Sequence, residues 1–131
     1  MHSDFFITEA DKYRNKVWEE IKNHSNLIFK IITKRASRIA DCLPQDWGEG
    51  YDNVILCVTV ENQARAEERL PIVEKIPMKH RWIACTPMLE QMDLSKFLAT
   101  GAFEMVEVLG ERTYKLEARP IKHTWVLDMC E

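Results

Sequence analysis

Four stretches of the chain are dense in apolar residues, and each stops at polar or turn-forming side chains. Leu27 to Ile32 is nearly all apolar, broken only by Lys30, and ends in Thr33-Lys34-Arg35. Val54 to Val60 (Val-Ile-Leu-Cys-Val-Thr-Val) is the strongest run and stops at Glu61-Asn62-Gln63. Arg81 to Cys85 ends in Thr86-Pro87, and Phe103, Met105, Val106 and Val108 give a more alternating stretch that ends at Gly110-Glu111-Arg112. Continuous apolar runs predict strands covered on both faces, as in a parallel sheet, whereas alternation predicts one less buried face.

The intervening segments carry helical spacing. Thr8-Glu-Ala-Asp11 reads as a variant capping box ahead of Tyr13, Val17 and Ile21, an apolar stripe that fades near Asn23 to Asn26. Ala36, Ile39, Ala40 and Leu43 form a short second stripe closed by Pro44, and Gln45 to Asn53, with Gly48 and Gly50, is a loop. Asn62 is placed to cap a helix carrying Ala66, Leu70 and Val73, with Pro71 expected to kink or split it and Pro77 to end it. Asp93 or Ser95 starts a short helix with Leu94, Phe97 and Leu98, and a last helix holds Trp125, Val126 and Met129.

Strands thus alternate with single helices, which implies an α/β domain of about four parallel strands joined by right-handed crossovers. Two architectures accommodate four such strands: a small open sheet, or half of an eight-stranded barrel. No repeat, low-complexity tract or linker divides the chain, so all 131 residues read as one domain.

Composition narrows the function classes. A net charge of −3 gives no electrostatic case for nucleic acid, and no apolar run approaches the roughly 20 residues that cross a bilayer. The opening Met-His-Ser-Asp-Phe-Phe has neither the basic nor the apolar region of a secretion signal, so a cytoplasmic location is expected. Cys42, Cys57, Cys85 and Cys130 form no CxxC pair and read as reduced, structural thiols. The four histidines are scattered, with no i, i+4 metal pair, so no metal site is expected; Trp18, Trp82 and Trp125 read as packing. Trp47 and Tyr51 lie in a loop that reads as packed, or as the cover of a site.

In parallel α/β folds ligands gather at the carboxyl ends of the strands. Here those ends bring Thr33, Lys34, Arg35, Glu61, Asn62, Gln63, Thr86 and Glu111 toward one rim. Lys34 or Arg35 would meet an anion, and Glu61 would take protons from a hydroxyl or amine. Strand ends also meet loops, and loops are polar, so spacing alone favours reading the same residues as caps and solvated charges.

Several of these blocks carry a resemblance. Ser3-Asp4-Phe5-Phe6, Ile32-Thr33-Lys34-Arg35, Thr59-Val60-Glu61-Asn62-Gln63, Arg69-Leu70-Pro71, Cys85-Thr86-Pro87-Met88-Leu89 and Ala118-Arg119-Pro120 with Trp125-Val126-Leu127-Asp128 resemble, in order, a phage-associated family of unknown function. That family has an N-terminal three-cysteine motif and is similar to radical S-adenosylmethionine barrels. The resemblance implies a partial barrel, an iron–sulfur cluster and S-adenosylmethionine, with Thr33, Lys34, Glu61, Asn62 and Glu111 at matching positions. The three cluster cysteines would lie upstream of this chain, and its own four lack the clustering that thiolate ligation needs. Where the family resembles Gly-Gly-Glu-Ser-Gly, this chain has Leu109-Gly110-Glu111-Arg112-Thr113.

Three expectations follow. The chain is a catalytically incomplete piece or remnant of a radical-SAM-like protein, with no cofactor of its own. Alternatively, it is a module binding a nucleotide or another small anion at the rim. In the third, uncovered sheet edges make it a homodimer, or the acceptor of strands from a partner.

Overall fold

The structure, a computed structural model, describes residues 4–85, 91–108 and 114–117. Its elements are α1 (Asp11–Asn23), β1 (Phe29–Thr33), α2 (Ala36–Ile39), β2 (Val54–Thr59), α3 (Gln63–Glu74), β3 (His80–Cys85), α4 (Ser95–Leu98), β4 (Met105–Val108) and β5 (Tyr114–Glu117). One sheet runs in the order β1-β2-β3-β4-β5. The first four strands are mutually parallel, and β5 pairs antiparallel with β4. The expected α/β fold with four parallel strands is therefore present, as an open sheet. The predicted last helix, with Trp125, lies outside the described residues.

The strand order rises without reversal, as in a singly wound barrel and unlike a doubly wound sheet, whose order reverses at a switch point. The packing agrees. Trp18 and Ile21 of α1, Ile39 of α2, Leu70 and Val73 of α3 and Phe97 of α4 share one core with Ile31, Leu56, Val58, Ile83 and Val106 of the sheet. The helices thus occupy one face. Cys57 and Ala84 are equally buried yet stand apart from that core, because register places them on the opposite face.

Several local expectations are corrected. Thr8 caps nothing: Thr8–Ala10 is a short 3-10 turn, and α1 begins at Asp11 without a side-chain cap. The buried stripe of α1 is Arg14, Trp18 and Ile21, while Tyr13 and Val17 face outward. Arg14 belongs inside because each nitrogen of its guanidinium is engaged, donating to the carbonyls of Phe5 (3.1 Å) and Ile7 (2.8 Å) and pairing with Asp11 at 2.5 Å. Trp18 reaches the Cys42 carbonyl at 2.9 Å. β1 starts later than predicted and is covered on one face only: Ile31 and Thr33 are buried, and Lys30 and Ile32 are exposed. Pro71 does not split α3, which runs continuously to Glu74. Trp82 is not core packing. It stands half-buried on the face away from the helices.

The loop before β2 is a packed element. Trp47 is buried against Trp18 and Tyr51 and donates to the Pro77 carbonyl at 2.6 Å. Gly50 closes it with φ of 110°, and a Cβ there would stand 2.8 Å from the Lys79 nitrogen and 2.9 Å from the Met78 Cα. Both obstacles are backbone, so Gly50→Ala should cost on the order of 1–3 kcal/mol of stability in urea denaturation. Gly48→Ala, at φ of 54° with open space around it, should cost less. The reverse order would contradict this packing.

Candidate functional site

Parallel pairing delivers the ends of β1 to β4 to one edge, as the rim reading requires. The end of β1 is organised by Asp4, which sequence reasoning did not single out. Its carboxylate accepts from the Thr33 hydroxyl at 2.7 and 2.8 Å and from the amides of Phe6 and Lys34, both at 2.9 Å. Thr33 in turn accepts the Arg35 amide at 2.9 Å. The backbone of this turn is thereby fixed, and the exposed Lys34 and Arg35 side chains make no hydrogen bond or ion pair among the described residues.

At the end of β2 the candidates are engaged. Glu61 pairs with Arg69 at 2.8 Å, and the same guanidinium reaches the Thr59 carbonyl at 2.6 Å. The Glu61 carboxylate is therefore already occupied by a partner within the chain. Asn62 caps α3 by accepting the Arg65 amide at 2.8 Å. Gln63 bridges to the next loop, donating to the Asp93 carbonyl at 3.0 Å and accepting the Asp93 amide at 2.7 Å. Beside this bridge lies an open depression of about 450 Å³ lined by Gln63, Gln91, Met92 and Asp93. Thr86 and Glu111 lie outside the described residues.

The face opposite the helices carries a second group of polar residues. Lys30 of β1 forms an ion pair with Glu107 of β4; their side chains are 29% and 10% exposed. The Lys30 ammonium sits 5.2 Å from the centre of the Trp82 ring, whose Nε1 donates to Glu104 at 3.3 Å. His80 meets the same carboxylate at 3.1 Å. Register puts Lys30 level with Ile55 and His80, and Glu107 level with Ala84 and Thr59. On a flat sheet the two would stand about 13 Å apart along the strands and about 14 Å across them, beyond what a lysine and a glutamate can bridge. Their contact therefore requires a twisted, rolled sheet with this face concave. Cys57, between them, feels both charges, and burial pushes its thiol up to about 12. The one signal in sequence was a charge interrupting an apolar run, at Lys30 and again at Glu107.

The described cysteines do not suit an iron–sulfur cluster. Cys42 and Cys85 lie in the helix-side core and Cys57 on the other face. Burial raises the Cys85 thiol to about 12 as well. Among the described residues no three His, Cys, Asp or Glu side chains gather as a metal site, and no helix is long and apolar enough to cross a membrane.

Fold and site define a singly wound α/β protein with a polar carboxyl edge and a charged concave face. The chain belongs to the family described as protein of unknown function (DUF5131), whose model matches residues 1–131. No curated protein and no solved structure matches it.

The concave pair gives a sharp test. Lys30→Met alone strands a nearly buried carboxylate and should cost about 3 kcal/mol, while Lys30→Met with Glu107→Leu should recover most of that loss. Chemical denaturation of the two single variants and the double variant measures the coupling. Simple additivity would show that the pair does not form.

Proposed function

We propose that this chain is a binding module for a small ligand that presents a phosphate or carboxylate group, a nucleotide or an S-adenosylmethionine-like molecule, of the phage-associated radical-SAM-like type its sequence resembles. One observation carries the reading: Lys34 and Arg35 project two cations, unpaired among the described residues, from the edge where four parallel strands end. Their backbone is locked by Asp4 and Thr33. Most other charges nearby are engaged, so an incoming phosphate or carboxylate meets these two first. Preorganised backbone lowers the ordering cost of binding, and an arginine offers an anion a two-pronged donor set.

The depression beside Gln63 lies at the start of α3, directly after β2, and would take the less charged part of such a ligand. Asn62 and Glu61 act here as positioning residues. Asn62 fixes the start of α3, and Glu61 holds Arg69 against the β2 carboxyl end. What these residues supply is binding and orientation of an anion.

Calorimetric titration with ATP, AMP, S-adenosylmethionine and S-adenosylhomocysteine tests the reading. At least one should bind, and Lys34→Ala combined with Arg35→Ala should weaken it tenfold or more, about 1.4 kcal/mol. Affinity unchanged in that variant, or no heat from any of the four ligands, would overturn it.

A further inference from the structure

Resting on the anion-binding reading of the Lys34–Arg35 turn, we propose that Asp11 is a positioning residue for that turn. It stands at the start of α1 and acts through the segment that joins it to Asp4.

Residues 4–7 belong to no helix or strand, so their carbonyls need partners from elsewhere. Two arginines supply them. Arg14 of α1 donates from Nε to the Phe5 carbonyl at 3.1 Å and from a terminal nitrogen to the Ile7 carbonyl at 2.8 Å. Arg38 of α2 donates from Nε to the Phe6 carbonyl, between them, at 2.6 Å. A further terminal nitrogen of each guanidinium meets the same Asp11 oxygen, at 2.5 Å from Arg14 and 2.7 Å from Arg38. The Phe6 side chain is wholly buried, so the clamped segment is also anchored in the core.

Asp11 is what lets two cations converge on this point. Without its carboxylate the guanidinium ends face each other with no counter-charge, and like charges at such range repel. Each arginine then swings away, and its hold on the Phe5, Phe6 and Ile7 carbonyls loosens. Asp4 is next in the chain. Its carboxylate accepts from the Thr33 hydroxyl and the Lys34 amide only while this segment is seated. Contacts thus run from Asp11 to both arginines, to residues 5–7, to Asp4 and to the turn that presents Lys34 and Arg35. A loosened turn must be ordered again when a ligand binds, which costs affinity. Charge alone predicts the opposite, because removing a carboxylate makes the chain more positive and by itself favours an anion. The sign of the change separates the two.

Amide deuterium exchange and calorimetry on the full chain carrying Asp11→Ala form the test. The Phe6 and Lys34 amides both donate to Asp4 and should exchange about fivefold faster or more. The amides of β2, which is paired on both sides, should stay protected and report an intact sheet. Whichever of ATP, AMP, S-adenosylmethionine and S-adenosylhomocysteine binds the unaltered chain should bind the variant about fivefold more weakly or worse. By reciprocity it should also slow both amides in the unaltered chain. Should Asp11→Ala fail to fold, Arg38→Lys, which keeps the charge and loses the two-pronged reach, should speed the same amides and weaken the same ligand. Phe6 and Lys34 amides as slow in the variant as in the unaltered chain, or an affinity unchanged or tightened, would overturn the proposal. If none of the four compounds binds, the anion reading falls on its own, and the two amides still decide whether Asp11 holds the turn.

Discussion

A lysine on the first strand and a glutamate on the fourth can touch only if the two strands between them roll the sheet toward one side. The Lys30–Glu107 pair is that constraint, and much of the architecture is consistent with it. Helices cover the convex face and build the core. The concave face keeps small side chains, Ala84 and Thr59, level with Glu107, so that the glutamate has room to reach across. Desolvating two charges is costly, and an apolar pair of the same size would serve stability at least as well. The pair is better understood as a mark of the sheet's curvature than as a stabilising device.

The carboxyl edge complements it. Asp4, from the segment ahead of α1, reaches the end of β1 and spends its acceptors on Thr33 and two backbone amides. A chain-terminal segment thereby shapes a turn about 30 residues away in sequence, and the turn presents its two cations outward. On the neighbouring strand the equivalent charges are neutralised internally, with Glu61 against Arg69. Among the described residues the edge is accordingly polarised: positive and open at β1, paired and closed at β2. That asymmetry is the ground on which we propose an anion here and not a cation.

Much of this was legible in sequence, and the remainder was illegible for physical reasons. β2 and β3 could be placed because residues buried on both faces leave an unbroken apolar run. β1 was misjudged because exposed Ile28 and Ile32 look identical, as letters, to buried isoleucines. β5 escaped notice because four residues of Tyr-Lys-Leu-Glu carry too short an alternation to stand out. Asn62 could be read as a cap from its type and place, and it is one. Arg14 could not be read as buried, since its acceptors are carbonyls that only the folded N-terminal segment supplies. Lys30 and Glu107 are 77 residues apart, and nothing local announces that register will bring them together.

The rolled sheet and its charged concave face are tested most directly by nitrogen-15 NMR of the lysine side chains. The account predicts one ammonium, assigned to Lys30, whose protons exchange slowly with water and whose signal moves when Glu107 is replaced by glutamine. A Lys30 ammonium that exchanges as fast as the surface lysines and ignores that replacement would contradict the account.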